Sequence, residues 1–350
     1  MGGSTDGPGP YLARGARVFG AVALLLLAVI SLGWIIRDFN EAGEISDVWW
    51  MWAGMATRAE SGLWASSPFD PVLLVVYVVA AAVTIRSSSA AGILTATGVL
   101  TVAVRLPSLW NLNADWMQGV DEDLKSKALF SAIGAVTLGV ALVIAAIAGR
   151  RPADGGGYGG GYGFAPVSDP AQEAPGRPAP GPAMTAFLLL GACAAALIAW
   201  EIDDWNRQDW DSYEQTLTGE RTLLSLLSPP GAWVAWAVAL LALAGAVAAA
   251  SRATFARPLG LVTGGVLLGT SVLFVSLIVK QEMLQHFGDL ETRGQLSVVT
   301  YFFTGFASLA VLIALAQRAQ PAPVYGGPPP YAAGGHDPYG PPPPAPPPGW

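Results

Sequence analysis

Apolar residues along this chain run in blocks, without the strict alternation of a strand or the narrow 3.6-residue stripe of a half-buried helix. Blocks near 17–36, 71–85, 90–106, 128–149, 183–200, 231–250, 258–279 and 297–316 are long and carry almost no charge. About 20 such residues in a helix cross roughly 30 Å of hydrocarbon. The pattern therefore predicts eight membrane-spanning helices. The second block is short, but Pro68 and Pro71 at its start and the polar turn 86–89 after it predict a helical hairpin over 71–106. No small-x-small cleavage site follows the first block, which runs straight into GWIIR and reads as a retained helix.

The segments between the blocks repeat. LGWIIRDFN at 32–40 and IAWEIDDWN at 198–206 place Trp34 on Trp200, Asp38 on Asp204 and Asn40 on Asn206. Further matches follow in the same order. Ser67-Pro68 answers Ser228-Pro229, Arg86 answers Arg252, Gly92-x-x-Thr95 answers Gly260-x-x-Thr263, and Phe130-Ser131 answers Phe303-Thr304. Collinear matches in loops and caps are not what a chance likeness of Ala/Leu-rich helices gives. The expectation is an all-α polytopic membrane protein whose eight helices form two four-helix repeats, 17–149 and 183–318. Four is even, so both copies point the same way, related by a pseudo-two-fold along the membrane normal. The N-terminus 1–16, the linker 150–182 with GGGYGGGYGF, and the tail 319–350 with PPPPAPPPGW are too poor in hydrophobic residues to build a core and read as disordered arms.

Composition agrees: 53 % of residues are hydrophobic and only 12 % charged, too few to dissolve the surface of a soluble domain. Sorting the loops alternately puts Arg14, Arg17, Arg86, Arg150, Arg151, Arg252 and Arg257 on one side and most carboxylates on the other. By the positive-inside rule the basic side is cytoplasmic, with both termini, and the expected location is the plasma membrane. The net charge of −7 is thus almost all external, and nucleic acid is excluded as a partner, leaving the lipid bilayer. Of 13 tryptophans, all but Trp350 fall in outer loops or at outer helix ends, as a packed cap, an interfacial anchor or a ligand surface. The apolar start of 45–64 predicts a short interfacial helix, with 221–227 as part of its counterpart.

Candidate chemistry is sparse. No Asp, Glu or His lies inside the blocks as drawn, which weighs against proton-coupled transport. The exception to their neutrality is Arg105, near the outer end of the third; it either snorkels or pairs with a carboxylate such as Asp115, or serves as a gate or anion site. Gly260, Gly264, Gly265 and Gly269 in the seventh block and Gly92 in the third suit close helix approach, and predict that these two helices meet at the pseudo-two-fold. Thr95 and Thr263 would then bond across helices or line a polar path. GGGYGGGYGF lacks the Gly-Lys-Ser/Thr of a phosphate loop. Asp209, Asp211 and Glu220 fit a calcium loop in part, but Tyr213 and Glu214 stand where a ligand and a glycine are needed. His286 and Cys193 are solitary, no nucleophile and base converge, and no cofactor is expected.

The Ala/Gly/Pro/Arg-rich helices joined to tails such as YGGGYGF and PVYGGPPPYAAGGHDPYGPPPPAPPP resemble the uncharacterised multi-pass membrane proteins of high-GC Gram-positive (actinobacterial) bacteria. That resemblance implies a plasma-membrane location and little else. Pro328-Pro329-Pro330-Tyr331 matches a WW-domain ligand, a motif without meaning if the resemblance holds. The functional expectation is a non-catalytic membrane scaffold or interaction protein, with possible cytoplasmic partners bound by the linker and tail. A passive channel or small-solute transporter with its path along the pseudo-two-fold is the alternative. Oligomeric state is not legible.

Overall fold

The computed structural model describes residues 11–60, 62–151, 176–220 and 223–317. Most of the three expected arms, with GGGYGGGYGF, Arg318 and the Pro-Pro-x-Tyr motif, lies outside the described residues. All eight expected spans form helices long and apolar enough to cross a membrane. They are α1 (Arg14–Asn40), α3 (Phe69–Arg86), α4 (Ala90–Arg105), α6 (Glu122–Ala148), α7 (Pro180–Arg207), α9 (Gly231–Ala250), α10 (Ala256–Lys280) and α11 (Thr292–Ala316). Three short helices, α2 (Ile45–Trp52), α5 (Ser108–Asn111) and α8 (Trp210–Thr218), lie between them. The chain is an all-α polytopic membrane protein.

The helices run further than their apolar blocks because polar residues finish them. Asp121 caps α6, accepting a 2.9 Å hydrogen bond from the Leu124 amide, and Glu122 and Asp123 follow in its first turn, where the helix dipole favours negative charge. Pro180 starts α7 inside the expected linker, at a position where a missing N–H costs nothing. With 27 residues α1 is about 40 Å long, a few turns more than a bilayer core needs. The surplus turns of α1 and α7 carry the duplicated Trp/Asp segment. At the opposite, arginine-rich end the expected disorder up to residue 16 gives way to order. Tyr11–Leu12 (β1) pairs antiparallel with Arg150–Arg151 (β2), joining the start of the first repeat to its end.

The two repeats pack alike. In the first, α1 lies against α3, α3 against α4, α4 against α6, and α6 closes on α1. In the second, α7, α9, α10 and α11 close the same ring in the same order. The loops ahead of α3 and α9 are equivalent, and they lie side by side: the amides of Leu226 and Leu227 donate to the carbonyls of Trp64 and Ala65, both at 3.0 Å. Equivalent loops meeting at one end mean that the copies point the same way. The short amphipathic helix expected within 45–64 is α2, which buries Val48, Met51 and Trp52. Its counterpart is α8, ahead of the stretch 221–227 assigned to that role; 223–227 is not helical, and Arg221 and Thr222 lie outside the described residues.

The repeats meet where α3 and α4 face α10, with a smaller contact of α4 to α9. The third and seventh spans thus touch as expected, Gly92 lying under the ring of Pro258. The glycines of α10 divide their work differently from the expectation. Gly260 and Gly264 face Leu315 and Leu312 of α11, inside the second repeat. Gly265 and Gly269 face Val76 and Val72 of α3, across the boundary. Hydroxyl groups do little of the joining, because a serine or threonine in a helix satisfies itself on the preceding turn. Thr95 donates to the Ala91 carbonyl at 2.9 Å, and Thr263 is buried without a hydrogen-bond partner among the described residues.

Candidate functional site

Three indoles staple the repeats at the tryptophan-rich end. Trp49 donates to Ser276 Oγ (3.0 Å), Trp110 to the Thr218 carbonyl (2.9 Å) and Trp233 to the Ala103 carbonyl (2.8 Å), and the Trp110 and Trp233 rings meet edge to face at 5.4 Å. Beneath them a small apolar cluster of Ala65, Leu112, Ala128, Leu226 and Leu227 seals the end. Trp49, Trp110 and Trp233 therefore pin the boundary, while Trp205 and Trp210 of the same belt stay exposed.

The duplicated Trp/Asp segment keeps one role and changes another. Trp34 donates to Ser131 Oγ at 3.0 Å, and Trp200 to Thr300 Oγ1 at 3.2 Å, each tying the first helix of its repeat to the fourth. Asp38 is fully buried and accepts the Ala65 amide (3.1 Å) and the Ser66 amide (2.6 Å), fixing the loop that pairs with the other repeat. Asp38 also takes the guanidinium of its neighbour Arg37 at 2.7 Å, whereas Asp204, half-buried, takes that of Arg293 on α11. Asn40 and Asn206 are exposed.

Arg105 does not pair with Asp115. It is 3 % exposed and bound to Asp70, which is 0 % exposed. Asp70 Oδ2 also accepts the Ser67 amide (2.7 Å) and hydroxyl (2.8 Å), while Arg105 reaches Ser31 Oγ and the Leu227 carbonyl at a long 3.5 Å. Deeper in the bundle, the Tyr77 and Thr101 hydroxyls share a 2.9 Å hydrogen bond. An acid therefore does lie in a span, correcting the expectation of none. The helix starts at Phe69, two residues ahead of the apolar block, and so takes Asp70 into its first turn. The signal that finds Asp70 is Ser67-x-x-Asp70, a helix-start pattern in which the acid reaches back to the serine amide.

Carrying the repeat register along the chain sets Leu197 where the first repeat has Ser31, Gly231 for Asp70, Val238 for Tyr77 and Leu273 for Arg105. Every polar group is lost. In their place is a cavity of about 820 Å³ between α7, α9, α10 and α11, lined by those same four residues, bordered by Pro68 and Phe69 of the first repeat and rimmed by Trp200, Glu201, Asp204, Glu291 and Arg293. Glu201 is 8 % exposed, and its Oε2 accepts the Tyr213 hydroxyl (3.1 Å), which in turn accepts Trp236 Nε1 (2.7 Å). Burial is the first cause lifting Tyr213 above its ordinary pKa, so at neutral pH it stays a donor. Arg293 lies over the Trp200 ring, 5.4 Å from its centroid.

No protein-family model matches this chain, and no curated protein or solved structure matches it. The first repeat is filled by an ion pair that holds helix to helix, and the second keeps an opening of ligand size at the equivalent place.

Proposed function

We propose that this integral membrane protein is a non-catalytic scaffold or interaction protein of the cell envelope, set in the plasma membrane with its basic side and the Pro/Gly/Tyr-rich arms in the cytoplasm. The observation that carries this reading is the closure of the boundary between the repeats. Asp70 and Arg105 are locked together beside it, Gly92 and Gly269 bring the helices into direct contact, and the paired loops at Trp64 and Leu226 cover one end. A path along the pseudo-two-fold would have to part all three. The same closure weighs against the alternative, a passive channel or small-solute transporter along that axis. A rigid pair of bundles is suited to presenting cytoplasmic arms and a Trp-rich outer cap at a fixed spacing.

The test is flux through the purified protein in liposomes, across a panel of small ions and neutral solutes. Flux equal to that of empty vesicles, from protein whose helix content is intact by circular dichroism, is the expected result. Flux above that level that changes in Arg105→Ala overturns the reading and makes the protein a transporter.

A further inference from the structure

The cavity of the second repeat stands on its own, whatever the arms bind. We propose that it binds an amphiphile with a single cationic amine head, the apolar body lying between α7, α9, α10 and α11 and the amine against Glu201.

Duplication makes the cavity informative. A bundle of this design closes tightly when the positions facing its interior are filled, as Asp70, Tyr77 and Arg105 fill them in the first repeat. The second repeat holds smaller or apolar residues there and leaves about 820 Å³ open, within the range of small-molecule sites. A void of that size forfeits packing contacts along its whole lining. An occupant restores them.

The chemistry of the occupant follows from the walls. Deep in the bundle Leu197, Val234, Val238, Leu267 and Leu273 dominate the lining, and of the hydroxyls among them that of Thr270 is turned onto the Val266 carbonyl of its own helix, a wall that suits a hydrocarbon body. At the rim three carboxylates, Glu201, Asp204 and Glu291, face one guanidinium, Arg293. That guanidinium is already shared between Asp203 and Asp204. Glu201 is the most buried of the three, and among the described residues no cation lies within ion-pair distance of it. A carboxylate withdrawn from water with one hydroxyl donor is short of partners. An ammonium group supplies three donors and the missing charge. The rim sits at the tryptophan-rich end of the spans, at the level where headgroups and amphipathic heads lie, so such a ligand enters with its tail leading.

The experiment is equilibrium binding of radiolabelled dodecylamine to the full chain in phosphatidylcholine nanodiscs, with dodecanol and dodecanoate as competitors of the same tail. The expected result is saturable binding above empty nanodiscs that neither competitor displaces at matched concentration. Glu201→Gln weakens it about tenfold or more, the scale of one charge-assisted hydrogen bond. Gly231→Phe weakens it by setting a ring into the cavity wall at a position where a Cβ meets no atom within 4 Å, and a thermal melt checks that the variant is folded. Adding phosphatidylethanolamine to the discs separates two sources of the amine: competition assigns the site to a lipid headgroup, and unchanged binding assigns it to a free amine. Binding no greater than to empty discs, equal displacement by dodecanol, or indifference to both Glu201→Gln and Gly231→Phe overturns the proposal.

Discussion

Arg105, at the last turn of α4, is buried against Asp70 in the first turn of α3, closing the helical hairpin of the first repeat at the end opposite its turn. The equivalent helices of the second repeat, α9 and α10, have Gly231 and Leu273 at these places and hold together without any charge. The pair is therefore a device of one copy and not a requirement of the fold.

Removing one partner leaves the other charge stranded out of water. Arg105→Ala should lower unfolding stability by about 3–5 kcal/mol. The double variant Asp70→Ala/Arg105→Leu should cost clearly less than the single change, because no buried charge remains. Thermal or denaturant unfolding in micelles measures both. A double variant as unstable as the sum of its singles would mean the two residues do not act as a pair.

The boundary between the repeats makes a sharper steric prediction. A Cβ on Gly269 would fall 2.6 Å from Val72 Cγ2, whereas one on Gly265 would sit 3.6 Å from Val76, an ordinary contact. Val72 is β-branched and has little freedom to turn away. Gly269→Ala should cost about 1–3 kcal/mol and Gly265→Ala close to nothing. Adding Val72→Ala to Gly269→Ala should recover part of the loss. Equal effects at the two glycines would place α3 and α10 further apart than they are here.

Asp38 and Asp204 occupy the same place in the two repeats and should answer mutation differently. Asp38→Ala strands two buried amides, those of Ala65 and Ser66, and should cost about 2–4 kcal/mol from the penalty on each unmade hydrogen bond. Hydrogen exchange of the amides at 64–66 should rise by orders of magnitude with it. Asp204→Ala removes a half-exposed ion pair with Arg293 and should cost about 1 kcal/mol or less.

Much of this architecture was legible in the residues. Block length gave the spans, and the echo of Trp34 in Trp200 located the repeat, because both indoles tie the first helix of a repeat to its fourth. What the pattern hid were contacts between residues far apart in sequence. Hydropathy is an average over many residues, and a lone acid at a helix start such as Asp70 reads in it as part of the preceding loop. Small-residue spacing says that some helix approaches closely but not which, and Gly260 and Gly264 turn out to face α11 while Gly265 and Gly269 face α3. The cavity left no mark of its own in either copy. It becomes visible only as a difference between copies, at Gly231 and Leu273, once a structure shows that Asp70 and Arg105 meet.

The chain of hydrogen bonds from Trp236 through Tyr213 to Glu201 gives a prediction with a pH sign. The Tyr213 hydroxyl is raised above the ordinary tyrosine value, first by burial, so the folded state holds this proton more tightly than the unfolded state does. Its contribution is fully present below the unfolded value of about 10 and is lost as pH rises through the folded one. Tyr213→Phe leaves Trp236 Nε1 and Glu201 each short of a partner and should cost about 1–3 kcal/mol at neutral pH. Above pH of about 10 the gap between wild type and variant should narrow, since wild type alone carries this proton linkage. Unfolding midpoints of both proteins from neutral to alkaline pH measure that gap. A difference constant across the range would show that Tyr213 does not hold its proton through this network.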